Sequence, residues 1–210
     1  MPRRSPPITT PRKLPVQARS TQLVADILEA AIRVLEREGA ARFTTIRVAE
    51  RAGVSVGSLY QYFPNKQAIL FRLQRDEWEQ TGAMLHAILG DTSRTPARRL
   101  HDTVRAFFHS ECDEAPLRLA LDNAGPVYRD SPEAKRRTRE SRRVVAAFLV
   151  AIAPRATPRQ RAFAGELFFT TLAAVGKAVS ERTPARTEVD AWARAVADML
   201  GLYFARLGRR

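Results

Sequence analysis

Cysteine is almost missing from the chain. Of 210 residues only Cys112 carries a thiol, so no internal disulfide can form and a disulfide-stapled scaffold is excluded. Histidine is nearly as scarce, with three residues, and the one cluster that combines these types is His109 and Cys112 with Glu111, Asp113 and His101 nearby. It lacks a second ligand group at zinc spacing, so no metal and no cofactor are expected, and Cys112 beside Phe107 and Phe108 reads as a small core residue. Long hydrophobic runs are missing too. The longest, Val144–Ala153, is about half of the roughly 20 residues that cross a bilayer. No charged N-terminal segment leads into an apolar stretch with a small-residue cleavage site, so a cytoplasmic chain with no membrane partner is expected. Nor does the sequence contain a Gly-x-Ser-x-Gly elbow, a Walker phosphate loop, a His-Glu-x-x-His pair or a dinucleotide-binding Gly-x-Gly-x-x-Gly, which argues against an enzyme.

Acidic residues are outnumbered, 22 against 35 Lys and Arg, for a formal net charge of +13. Such an excess suits a polyanionic partner, because basic side chains release condensed counterions when they meet phosphates. Its location matters more than its sum. Arg3, Arg4, Arg12, Lys13 and Arg19 stand in residues 1–19 with no acid, whereas residues 20–66 nearly balance. The same tail holds Pro2, Pro6, Pro7, Pro11 and Pro15, so residues 1–19 are expected to be a disordered basic arm.

What is present is helical punctuation. Ser20 can cap a helix whose apolar face is Val24, Ile27, Leu28, Ala31, Ile32 and Leu35, stopped by Gly39. Thr45 can cap a short second helix that ends at Gly53, Ser55 a third that ends at Pro64, and Asn65 a fourth carrying Ile69, Leu70, Leu73, Trp78 and Leu85. Thr95-Pro96, Ser131-Pro132 and Thr157-Pro158 each pair a capping hydroxyl with a first-turn proline. Thr157 with Gln160, and Thr187 with Asp190, have capping-box spacing or close to it. Helices are predicted at about 96–111, 114–124, 132–152, 158–179 and 188–207, with no strand: an all-α chain.

The informative stretch is Thr44-Thr45-Ile46-Arg47-Val48-Ala49-Glu50-Arg51-Ala52-Gly53-Val54-Ser55-Val56-Gly57-Ser58-Leu59-Tyr60-Gln61-Tyr62-Phe63-Pro64-Asn65-Lys66. It reads as two short helices about a glycine turn, locked against helix 1 by Ile46, Val48, Ala49, Val54, Leu59 and Phe63. Small residues at Val56, Gly57 and Ser58 would let the second helix approach base edges, Tyr60, Tyr62 and Lys66 offer donors to phosphate, and Gln61 can address adenine. Thr45 can cap its helix and also touch a phosphate.

From about Leu23 to Leu70 the sequence closely resembles the tetracycline-repressor (TetR) family of bacterial regulators, with Ala-Gly-Val-Ser, Gly-Ser-Leu-Tyr-Gln-Tyr-Phe and Asn-Lys in the expected order. The resemblance implies an N-terminal helix-turn-helix domain, residues 20–66, and a ligand-sensing and dimerising helical domain, residues 67–210. It places Thr45, Ser55, Val56, Gly57, Ser58, Tyr60, Gln61, Tyr62 and Lys66 at or near DNA. Val56 departs from a polar base reader and could only pack or meet a thymine methyl.

In the larger domain the family's architecture and two apolar helix faces favour a homodimer through Leu167, Phe168, Thr171, Val175, Trp192, Val196, Met199 and Tyr203. A cavity would be lined by Trp78, Leu85, Phe108, Leu119, Tyr128, Phe148 and Phe168, with Asp122 or Asn123 as polar selector for an unidentified small molecule. The basic run Lys135, Arg136, Arg137, Arg139, Arg142 and Arg143 reads as a solvated face. The whole points to a dimeric repressor on a palindromic DNA operator, released by a ligand; the alternative is a DNA-binding dimer without ligand response. If the arm supplies much of the electrostatic affinity, deleting residues 2–18 should lower the slope of log K against log salt by up to about 3 units. Titration of operator and scrambled duplexes across a salt series checks this, and an unchanged slope would show the arm to be inert.

Overall fold

The computed structural model describes residues 18–115, 132–182 and 184–207. Among these residues the structure is helical with no strand: α1 Ala18–Glu38, a 3-10 turn Ala40–Arg42, α2 Thr45–Ala52, α3 Val56–Tyr62, α4 Lys66–Gly90, α5 Pro96–Asp113, α6 Pro132–Ile152, α7 Pro158–Ser180 and α8 Arg186–Arg206. The basic arm up to residue 17, most of the helix expected at 114–124, and Gly208 lie outside the described residues.

The described residues fall into two compact units, one up to Trp78 and one from Glu79 onward, so the division runs through α4. The first unit is built around α1, whose Val24, Ile27, Ala31, Val34 and Leu35 are buried at helical spacing. Phe43, Val48, Leu59, Phe63 and Ile69 close the same core. Two expected core positions turn outward, Ile32 at 44% and Ile46 at 55% exposure. Each sits about 100–200° around its helix from the buried stripe, so apolar type alone did not decide its fate. Helix α1 also starts at Ala18, ahead of the expected Ser20 cap.

Capping follows local sequence at most other ends. Asn65 Oδ1 accepts from Ala68 N at 2.8 Å, and Thr95 caps α5 with Pro96 in the first turn. Thr157 and Gln160 form a complete capping box, with Thr157 N donating to Gln160 Oε1 at 2.7 Å and Gln160 N donating to Thr157 Oγ1 at 3.2 Å. The Thr187–Asp190 pair does not behave this way. Helix α8 begins at Arg186 after Ala185, with no side-chain cap. Asp190 is instead drawn across to α5, where Arg105 Nε donates to its Oδ1 at 2.8 Å and His109 Nε2 stands 2.8 Å from the same oxygen.

In the second unit α5 packs against α7 and α8. Its Leu100, Val104 and Phe108 meet Phe168 and Leu172 of α7, Val196, Leu200 and Phe204 of α8, and Phe148 and Leu149 of α6 in one apolar cluster. Helices α5 and α7 approach closely at Gly176, where a Cβ would lie 2.9 Å from Phe107 Cε1. Most of the α6 basic run is exposed, as a solvated face requires, with Arg142 paired to Glu166.

The hydrogen bonds from Arg105 and then His109 hold the Asp190 carboxyl at about 2, below its ordinary 3.8. A depressed carboxylate adds stability that is complete above the unfolded value and is lost as pH falls through the folded one. Urea unfolding at graded pH should therefore show wild-type stability declining between about 3.8 and about 2, and Asp190→Asn should remove that part of the decline.

Candidate nucleic-acid interface

Helices α2 and α3 are too short to persist alone and depend on their ends and on the core beneath them. The Thr44 side chain accepts from Arg47 N at 3.2 Å, so the cap of α2 is Thr44 and not the expected Thr45. At the other end Gly53 takes a left-handed conformation, φ 68° and ψ 29°, and its N–H reaches the Ala49 and Glu50 carbonyls. Val54 N then donates to Ala49 O at 3.0 Å, which turns the chain into α3. Ser55 caps α3 as expected: its Oγ accepts from Ser58 N at 3.0 Å and lies 2.8 Å from Ser58 Oγ.

With Leu59 and Phe63 buried at 0% and 1%, the opposite side of α3 is presented to solvent. Ser55, Gly57, Tyr60 and Gln61 are exposed on it and Ser58 is half-buried; Lys66, at the start of α4, is exposed as well. Val56 is half-buried and packs against the core of the first unit. Two expected phosphate donors are placed differently. Tyr62 is 7% exposed because its ring completes the core, which confines any outward role to its edge. Thr45 is 9% exposed, and its Oγ1 lies 3.1 Å from the Tyr60 hydroxyl, so one hydrogen bond ties the start of α2 to α3. Sequence reasoning missed Thr44, although the adjacent hydroxyl pair was visible, and it missed buried Phe43, which follows the 3-10 turn with no periodic signal.

The cavity residues expected in the second unit are dispersed. Phe108, Phe148 and Phe168, at 0%, 2% and 3% exposure, fill the core rather than line a space within it. Trp78 and Leu85 are half-buried on α4, and Leu119, Asp122, Asn123 and Tyr128 lie outside the described residues. A solvent-open cleft of about 400 Å³ is lined instead by Asp102, Arg105, Ala106, His109, Arg186 and Asp190. Among the described residues no group of three or more His, Cys, Asp or Glu is placed to hold a metal ion.

The expected dimer face divides as well. Phe168 and Val196 are buried within the chain's own core, because they lie on the sides of α7 and α8 that meet α5. Leu167, Thr171, Val175, Trp192 and Tyr203 are half-buried, and Met199 is exposed. Two residues absent from the sequence reading are more exposed still, Phe163 at 62% and Leu202 at 65%.

Comparison with known proteins fits this geometry. Residues 27–73 match the family described as bacterial regulatory proteins, tetR family, and residues 95–207 match the tetracyclin repressor-like C-terminal domain. The nucleoid occlusion factor SlmA of Vibrio campbellii is 32% identical over 98 residues, covering 38% of this chain and 50% of the relative. The HTH-type transcriptional regulator BetI of Paraburkholderia phytofirmans is 29% identical over 97 residues, covering 44% and 48%. The chain thus spans about half the length of the curated relatives it matches. The solved structure of the fatty acid degradation regulator FadR from Bacillus halodurans superposes with a TM-score of 0.61 at 18% identity, over 85% of this chain and 94% of that one. The chain is a member of the TetR family of DNA-binding transcriptional regulators.

Proposed function

We propose that the protein is a homodimeric repressor that sets two α3 helices into successive major grooves of a palindromic operator and leaves it when a small molecule binds the second unit. The observation that carries the DNA half is the fixed presentation of α3: a left-handed turn at Gly53, a cap at Ser55, the Thr45–Tyr60 hydrogen bond and a buried Leu59 hold outward a face of small residues and Gln61. Such a surface suits base edges because the helix backbone can come close, while Lys66 and the polar start of α2 suit phosphates.

The dimer half rests on the exposed apolar side chains of the last two helices, Phe163 on α7 and Met199 and Leu202 on α8. Large exposed apolar residues on the last two helices suit a surface that a second copy would cover. A dimer on a palindrome also explains how a single seven-residue recognition helix gains affinity, since the second half-site binds intramolecularly.

A second reading, a DNA-binding dimer that senses nothing, is favoured by the complete packing of Phe108, Phe148 and Phe168. The two readings separate on whether any compound that binds the purified protein changes its affinity for DNA.

Two outcomes test the proposal. The protein should have twice the chain mass in solution, and Leu202→Asp with Phe163→Asp should return a folded monomer, because each aspartate would be buried unpaired at the interface. A wild-type monomer with no mass shift on DNA would defeat it. On a selected operator, Lys66→Ala should weaken binding to all sequences and reduce the salt slope by about one unit, whereas Gln61→Ala should change the preferred bases. Altered base preference with an unchanged slope in Lys66→Ala would overturn that division.

A further inference from the structure

Among the described residues Arg99 is the one charged side chain that is buried, at 6% exposure on α5, with Nη1 donating to the Leu89 carbonyl at 2.8 Å. It is packed into the core. The arginines that can meet an outside partner are exposed, and two of them, Arg47 and Arg51, stand on α2, the helix that precedes the α3 face. In a helix-turn-helix the first helix crosses the phosphate backbone while the second enters the groove, so α2 needs phosphate donors of its own. The sequence reading assigned that part to Thr45. Its hydroxyl is committed to Tyr60 instead, at 3.1 Å, and the neighbouring Thr44 side chain accepts from Arg47 N.

Arg47 stands in the first turn of α2, whereas Arg51 lies in the last turn beside Gly53. The Thr45–Tyr60 hydrogen bond ties that first turn to the exposed face of α3. Arg47 opens onto a hollow of about 600 Å³ lined also by Glu38, Thr44, Ile46, Glu50 and Arg51, which leaves its guanidinium space to turn. In this structure it turns to Glu38, the last residue of α1. The pair is solvated, with 44% of the Arg47 side chain and 32% of the Glu38 side chain exposed. Nothing in α1 itself calls for an acid there, because a carboxylate in the last turn lies against the negative end of the helix dipole. Exposed ion pairs contribute little, since both partners remain hydrated, so Arg47 exchanges Glu38 for another anion at small cost.

We propose that Arg47 is the phosphate contact of α2 and that Glu38 competes with DNA for it, holding down the affinity for every sequence. The assignment rests on the reading of α2 and α3 as the DNA-facing elements. Arginine suits such an exchange because its planar fork pairs equally well with a carboxylate and with a phosphate. Phosphates are alike at every base pair, so the competition acts on affinity and leaves base preference alone.

The test measures the duplex affinity of the full-length protein across a salt series, on a selected operator and on a scrambled duplex. Arg47→Gln should weaken both by about tenfold and lower the salt slope by about one unit, and Arg47→Lys should restore the slope. Glu38→Gln, which keeps the side-chain shape, should tighten both by about two- to fivefold, the worth of an exposed ion pair. That gain should vanish when Glu38→Gln is combined with Arg47→Gln. Arg33→Gln, which removes an exposed cation of α1 paired with Glu29, should change neither affinity nor slope. The proposal is overturned if Arg47→Gln leaves affinity and slope unchanged or if Glu38→Gln weakens binding. It is overturned equally if the gain persists without Arg47, which would make Glu38 a general repulsion rather than a competitor. The reading of α3 fails by a different result, a base preference that Gln61→Ala leaves as it was.

Discussion

The outward face of α3, the proposed recognition surface, hangs on the left-handed backbone of Gly53. Helix α3 has seven residues and could not hold its shape in water alone, so its direction is set by the chain that enters it and by what lies beneath it. At φ 68° Gly53 sends its N–H back to the Ala49 and Glu50 carbonyls, Val54 N–H also returns to Ala49, and the chain passes to the extended Ser55 cap. Any residue with a Cβ would pay about 1–2 kcal/mol there. That is comparable to the loss of a whole cap, and it would be felt in the helix proposed to read DNA. Leu59 and Phe63 then fix the rotation of α3, and exposure of Gly57, Tyr60 and Gln61 follows from burial on the other side.

The same turn shows which parts of the fold were legible. Caps at Ser55, Asn65, Thr95 and Thr157 are written within three residues of the groups they satisfy, so local sequence sufficed. Thr44 and Thr45 are chemically equivalent neighbours, and only the half-buried hydrogen bond between Thr45 and Tyr60, fifteen residues apart, shows which of them is free to cap. Asp190 failed as a capping partner for a similar reason: Arg105 and His109 lie 85 and 81 residues away in sequence and outcompete a backbone N–H nearby. Tyr62 was read as a phosphate donor because its hydroxyl is polar, yet its ring is what the core of the first unit needed.

In the second unit the difficulty is larger, because apolar residues at helical spacing do not reveal which of two apolar neighbours they will meet. Phe168 and Val196 satisfy the dimer pattern and the intramolecular core equally well, and the position of α5 between α7 and α8 decides for the core. Phe163 and Leu202 lie about 120–140° round their helices from those two and stay exposed. Arg99 was illegible for the opposite reason. Arginine is among the residues least often buried, so a sequence with an arginine excess offers no reason to single out one of them.

Arg99 also holds the helix within which the two units divide. Helix α4, at 25 residues about 37 Å long, holds Ile69 and Leu73 in the first core and Leu89 in the second, and Arg99 grips its last turn through the Leu89 carbonyl. For any effector to lower DNA affinity a hundredfold, it must prefer the released state by about 2.7 kcal/mol. One hydrogen bond to a charged group contributes about 1.5–3 kcal/mol, so two that form only in the released state are sufficient.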